Sequence, residues 1–267
     1  MNETLYSILL GILQGLTEFL PVSSSGHLAL IEAFYPGKSN FFMLNVLLHS
    51  GTLGAIIFYY RKEIFEIISS LFPEKENYLP AKKIEARKNT VLILICDTVT
   101  ILIAFPLRNY AEKFTAHPAS IGLFLLLTGI LLLLTRYIFP YSKTPDAKGA
   151  MFIGFFQGLS VLPGLSRSGL TIFSALFFYK EKKEAVKFSF LAGLPVILGA
   201  FFFETIKEWD NIQKNLWVLI SGIFSSFVFG LISIVLLEKI TEKKNLFWFS
   251  FYLIPAGIII IVIKIFF

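Results

Sequence analysis

Gly11-Ile12-Leu13-Gln14-Gly15-Leu16 runs on to Ser23-Ser24-Ser25-Gly26, and Gly154-Phe155-Phe156-Gln157-Gly158-Leu159 runs on to Ser166-Arg167-Ser168-Gly169. The same interval separates the two copies at both ends, so one polar phrase occurs twice in a very apolar chain. Pro21 stands just ahead of the first serine cluster and Pro163 just ahead of the second. Each copy therefore reads as an apolar helix broken inside a membrane. Broken helices in matching halves of a membrane protein point to a binding site between them.

The rest of the chain agrees with that setting. Hydrophobic residues make up 55% of 267 and charged residues 16%, against roughly 25% charged in soluble domains. This composition is that of an integral membrane protein. The stretch from Leu5 to Leu20 lacks a basic lead-in and is interrupted by Gln14 and Glu18, which makes it a poor signal peptide and too polar for an ordinary span. Cys96 is the single cysteine, which excludes an intramolecular disulfide and a cysteine-based metal site. The net charge of +6 would suit nucleic acid, but the basic residues lie in loops between apolar segments. Topology accounts for them; the expected partner is the lipid bilayer, with no nucleic acid.

Apolar stretches of membrane-crossing length, about 20 residues, run from Phe41 to Tyr60, Thr90 to Leu107, Pro118 to Ile138, Phe188 to Ile206, Leu216 to Leu237 and Leu246 to Phe267. Outside these six spans lie the segments with the repeated phrase, Leu5 to Leu30 and Gly149 to Tyr179, both read as re-entrant helical hairpins. Four loops, at 61–88, 136–148, 180–187 and 239–244, hold 17 of the 24 Lys and Arg, against 6 in the opposite set, so the four face the cytoplasm. Both termini then lie outside, the first hairpin enters from outside and the second from the cytoplasm. The expectation is an all-α integral membrane protein of one polytopic domain, 1–267. Its six transmembrane helices and two re-entrant hairpins form inverted-topology repeats at about 1–140 and 149–267, with the hairpin tips meeting near the midplane.

Arg167 is the most informative residue, because a guanidinium at membrane depth is costly and calls for an anionic partner. The plainer account is a pairing with a carboxylate such as Glu18 that only holds the halves together. Around it, Pro163-Gly164-Leu165-Ser166-Arg167-Ser168-Gly169 offers a tight backbone, the hydroxyls of Ser166 and Ser168, and a following helix start, a combination suited to phosphate oxygens. Gln14 and Glu18 are four apart and share a helix face. Glu18 can hold a divalent cation or a proton, or stand as a neutral acid bonded to serine or backbone. His27 follows the triple serine and can act as base or nucleophile beside Ser24, or merely cap a helix. Thr171 lies one turn past Arg167, although a membrane threonine often bonds its own backbone. His49 reads as packing the first span, His117 as solvated, and Asp97 as an intramembrane acid whose partner the sequence does not name.

Gln14-Gly15-Leu16-Thr17-Glu18-Phe19-Leu20-Pro21-Val22-Ser23-Ser24-Ser25-Gly26-His27 and Pro163-Gly164-Leu165-Ser166-Arg167-Ser168-Gly169-Leu170-Thr171 resemble the two signature motifs of the undecaprenyl-diphosphate phosphatase family, the bacitracin-resistance proteins of bacteria. Leu48-His49-Ser50-Gly51-Thr52-Leu53 and Lys187-Phe188-Ser189-Phe190-Leu191-Ala192-Gly193-Leu194-Pro195 extend the similarity over essentially the whole chain. The resemblance implies removal of the terminal phosphate of undecaprenyl diphosphate, which regenerates the monophosphate carrier for cell-wall polymers. It also implies a plasma-membrane protein whose site opens to the outer side, and a requirement for a divalent cation. The family's first motif allows Glu or Gln at position 14; here it is Gln14, so Glu18 is the motif's only acid.

On this reading Arg167 clamps phosphate with Ser166 and Ser168, and Glu18 with Gln14 holds a Mg²⁺ or Ca²⁺ ion. His27 or Ser24 is the base or nucleophile, and Thr171 bonds the phosphate or orients Arg167. The polyprenyl tail of the lipid substrate stays among the spans, and the sequence leaves a homodimer open. The rival reading is a flippase or transporter of polyprenyl phosphate lipids, since such repeats are the usual build of alternating-access carriers. Asymmetry between the copies favours an enzyme: Glu18 and His27 of the first have apolar counterparts in the second.

Overall fold

A computed structural model describes residues 3–34, 41–72, 81–138, 145–207, 216–243 and 245–266. Its elements are α1 (Glu3–Phe19), α2 (Ser24–Phe34), α3 (Phe41–Tyr59), α4 (Arg61–Ser70), α5 (Ala81–Thr115), α6 (Pro118–Leu134), α7 (Ala147–Leu159), α8 (Arg167–Ala175), α9 (Lys182–Lys207), α10 (Leu216–Lys243) and α11 (Ser250–Phe266), with short 3₁₀ turns after α6 and before α11. There are no strands among the described residues. Five of the helices, α5, α6, α9, α10 and α11, are long and apolar enough to cross a membrane; the apolar part of α3, Val46–Tyr59, is shorter. The protein is a multi-pass membrane protein.

Both copies of the phrase form a helix, a turn and a second helix. The first break falls at residues 20–23 and the second at 160–166, where Pro21 and Pro163 stand. Ser23 is held at φ 69°, and Gly164 at φ 102°, a conformation that only glycine adopts freely. A Cβ on Gly164 would also stand 2.6 Å from the Ile121 carbonyl oxygen. The second break is therefore fixed by conformation and by contact together. Ser166 then caps α8, its Oγ accepting the Gly169 N–H at 3.1 Å.

The glycines of the phrase are where helices meet. A Cβ on Gly11 would lie 2.3 Å from the Gly222 carbonyl oxygen and one on Gly15 2.6 Å from that of Ser226, both on α10. A Cβ on Gly154 would lie 2.3 Å from the Cys96 carbonyl oxygen and one on Gly158 2.6 Å from Ile103 Cβ, both on α5. Small residues four apart let two membrane helices approach backbone to backbone, where packing and hydroxyl bonds replace the missing hydrophobic drive. Those bonds are present. Ser7 Oγ donates to Val218 O at 2.6 Å, Ser233 Oγ to Gly15 O at 3.0 Å, and Thr100 Oγ1 to Gly154 O at 3.2 Å. Contacts advance in step along both partners, so α1 runs parallel to α10 and α7 parallel to α5. Helices α6 and α11 meet through Gly122 and Gly257, and the edge-to-face pair Phe19–Phe190 fills the core beside the first break.

The helices run further than the apolar stretches. Thr90 to Leu107 sits inside the 35-residue α5, and the stretch starting at Leu246 begins as a 3₁₀ turn before α11. Hydropathy marks only the lipid-facing part of a helix, whereas backbone bonding continues into the polar flanks. The loop assigned to 61–88 contains α4, whose Ile64 and Ile67 pack inward while Phe65 and Ile68 are exposed.

Candidate active site

The two breaks interlock. Ser168 Oγ donates to Leu20 O at 3.3 Å and Ser23 Oγ to Leu165 O at 3.5 Å, and a Cβ on Gly26 would meet the Gly164 Cα at 3.0 Å. Beside this junction lies a cavity of about 260 Å³. Glu18, Ser24, His49, Gln157, Ser166 and Arg167 supply its polar wall, and Val46, Val196, Ile197 and Phe201 part of its apolar wall. A larger cavity, about 620 Å³, lies against α4 and the start of α9; there Glu63, Glu66, Glu85 and Glu184 alternate with Lys82, Lys180 and Lys187. Chemistry, not size, selects the smaller one.

At its centre the Glu18 carboxylate is gripped from four sides. Arg167 Nη2 donates to Oε1 at 2.7 Å; Ser24 Oγ donates to Oε2 at 2.6 Å and Gln14 Nε2 to the same oxygen at 3.0 Å. His49 Nε2 stands 3.8 Å from Oε2. The Glu18 and Arg167 side chains are 7% and 14% exposed, so the pair is barely screened and its short charge-assisted bond is strong. Arg167 Nη1 has no hydrogen-bond partner among the described residues, nor has the buried Gln14 Oε1. The guanidinium pairs with a carboxylate on the cavity wall and can bind an anion there; its Nη1 is itself buried, close against Gly193, where a Cβ would stand 2.2 Å from it.

The residues singled out from sequence fall into two groups. Glu18, Ser24, Gln14 and Arg167 are joined by hydrogen bonds, and Ser166 lines the same cavity. Ser168 is buried at the junction, and Thr171 Oγ1 is occupied by Arg167 O at 2.8 Å and by Ser189, facing the protein rather than the cavity. Thr171 thus shapes the turn that carries Arg167. His27 does not line the cavity: Nδ1 lies 2.7 Å from Ser23 O and Nε2 lies 2.6 Å from the Tyr252 hydroxyl.

Sequence reasoning missed His49, which it placed in packing; one of three histidines, inside an apolar span and two residues before Gly51, was the available signal. It also missed the partner of Asp97. Gln157 Nε2 donates to Asp97 Oδ1 at 3.4 Å and to Thr100 Oγ1 at 3.1 Å, so the glutamine of the second phrase binds an acid as Gln14 does in the first.

The profile of the family described as Bacitracin resistance protein BacA matches residues 7–259. A protein of Thermosipho africanus (strain TCF52B) named undecaprenyl-diphosphatase is 39% identical over 264 residues, covering 94% of this chain and 97% of its own. Proteins of the same name from Alkaliphilus metalliredigens (strain QYMF) and Methanococcus maripaludis (strain C6) are 38% and 34% identical, over 97% and 95% of this chain and 98% of each relative. A match of that length makes this chain a member of the BacA bacitracin-resistance family.

Proposed function

We infer that the protein hydrolyses undecaprenyl diphosphate to undecaprenyl phosphate and phosphate, recycling the lipid carrier of peptidoglycan and other cell-wall polymers and thereby conferring bacitracin resistance. Family membership supports this, and so do the names of relatives aligned over almost their whole length. The carrying observation is the Arg167–Glu18 pair at 2.7 Å on the cavity wall, with Ser24 2.6 Å from the same carboxylate. The Arg167 guanidinium and the start of α8 take oxygens of the terminal phosphate. Ser24 Oγ is aligned to attack that phosphorus while Glu18 accepts its proton; the P–O bond to the lipid phosphate breaks, and water then releases phosphate from the serine. Ser24 is favoured over His27 because it lies on the cavity and His27 does not. The apolar wall leads the prenyl chain out among the helices.

A divalent cation fits a limited donor set. Gln14 Oε1, buried and without a partner, and Glu18 would hold it; among the described residues no three His, Cys, Asp or Glu gather around a common point. That suits a Mg²⁺ or Ca²⁺ that completes its shell with water and phosphate oxygens. Its chemistry would be neutralisation of diphosphate charge. Purified protein in detergent should release phosphate from a polyprenyl diphosphate and lose that activity with a chelator. Absence of phosphate release with every divalent ion supplied would sink the reading.

The two phrases are taken as tips of re-entrant hairpins in inverted repeats, with α3, α5, α6, α9, α10 and α11 as six spans. The matched seating of α1 on α10 and α7 on α5 supports this. With the Lys-rich loops in the cytoplasm, the termini and the mouth of the site face outward from a plasma membrane. Cysteine at Asn77 should be shielded from an impermeant thiol reagent in intact cells and cysteine at Asn211 labelled; both positions lie outside the described residues. Reversed labelling would invert the orientation. A carrier finds support in the repeat architecture alone, whereas the division of carboxylate, hydroxyl and guanidinium between the phrases supports an enzyme.

A further inference from the structure

His27 was expected among the reacting groups, and its ring is held from two sides outside the cavity. Nδ1 lies 2.7 Å from the Ser23 carbonyl oxygen. A carbonyl only accepts, so Nδ1 carries a hydrogen and, in the neutral ring, Nε2 keeps its lone pair. The Tyr252 hydroxyl, 2.6 Å from Nε2, is therefore the donor, and the two rings stack with centroids 5.8 Å apart at 17°. The same Ser23 carbonyl also accepts the His27 backbone N–H at 3.2 Å. Ser23 is the residue held at φ 69°, a region a serine leaves unless its surroundings fix it. Ser24 follows directly, with its hydroxyl on Glu18. A chain of contacts thus runs from Tyr252 through His27 and Ser23 to the residue beside the break. Its far end is well anchored: Tyr252 belongs to α11, which is packed against α6, and α6 supplies Thr128, whose hydroxyl bonds the Gly164 carbonyl at 3.3 Å and accepts the Ser166 N–H at 3.2 Å.

We propose that Tyr252 is a positioning residue of the site: its hydroxyl fixes the ring plane of His27, in the tautomer that the Ser23 carbonyl selects, and, through that doubly engaged carbonyl, the backbone that delivers Ser24 to Glu18. Tyr252 touches no substrate; it acts from α11 through His27. The proposal rests on the phosphatase reading above and extends it to a helix with no part in either phrase.

The test is a double-mutant cycle on phosphate release. Tyr252→Phe removes one hydroxyl and should lower kcat about tenfold, the worth of one hydrogen bond, with KM within about twofold because the substrate contacts are untouched. In a His27→Ala background, Tyr252→Phe should have no further effect. Wild-type kcat in Tyr252→Phe, or an equal loss in both backgrounds, overturns the proposal. A spectroscopic arm needs no turnover. The chain has three histidines, so imidazole ¹⁵N spectra are assignable by substitution; His27 should show its hydrogen on Nδ1, and Tyr252→Phe should move the His27 Nε2 signal while leaving His49 and His117 in place. An unmoved Nε2 signal also overturns it. Wild-type protein that releases no phosphate defeats the phosphatase reading instead, and the spectra alone then decide whether Tyr252 holds His27.

Discussion

Arg167→Ala is expected to reduce phosphate release by about 10³-fold or more, the range seen when a guanidinium that neutralises phosphoryl charge is removed. Two losses coincide in this variant. The substrate loses the guanidinium, and Glu18 loses its 2.7 Å partner and is left as a nearly buried carboxylate. Stranding one member of a buried pair costs about 3–5 kcal/mol, so the variant should also melt earlier in detergent. Arg167→Lys separates the two effects. An ammonium can still pair with Glu18 and restore stability, but it lacks the planar fork that grips a carboxylate and a phosphate together, so turnover should stay low. Near-normal turnover in Arg167→Ala would remove the clamp from the mechanism and leave the pair as a strut between the two breaks.

Glu18→Gln and Ser24→Ala carry the second large effect. An amide at position 18 keeps the shape, but it accepts no proton and ligates a hard cation poorly, so a loss of about 10²- to 10⁴-fold in kcat is expected. Ser24→Ala should abolish turnover and leave binding of an unreactive diphosphonate analogue nearly unchanged, because the hydroxyl acts in the transition state. His27→Ala should retain some activity, its ring being outside the cavity. If instead Ser24→Ala turned over while His27→Ala did not, the nucleophile would be the imidazole and its ring would have to leave Tyr252 to reach the phosphate.

How much of this was legible beforehand differs from residue to residue. Gln14, Glu18, Ser24, Ser166 and Arg167 could be gathered from the chain because the phrase repeats, and a repeat in an apolar background is visible without coordinates. The glycines of the same phrase announced duplication, yet their seats on α10 and α5 were hidden: spacing by four shows that a helix has a narrow face but not which helix lies against it. Asp97 had no nameable partner for the same reason, since Gln157 reaches it across helices 60 residues apart in sequence. His49 looked like packing because its own helix is apolar on every side; its significance comes from Glu18 on α1. His27 shows the converse. Adjacency to Ser24 in sequence implied a shared task, but the Ser24 hydroxyl is turned to Glu18 while the His27 ring is held by the Ser23 carbonyl and Tyr252, partners that the chain does not name in advance.

The seating of α1 on α10 also bears on how the chain is made. α1, carrying Gln14 and Glu18, leaves the ribosome well before α10, the helix that receives its glycines. Glu18 waits for Arg167, 149 residues later, and Gly11 and Gly15 wait longer still for Gly222 and Ser226. Until then the polar hairpin has no place in hydrocarbon, where unpaired polar groups are expensive. Its docking is therefore a late event in biogenesis, completed only when α10 arrives, and a chain truncated before α10 leaves α1 without a berth.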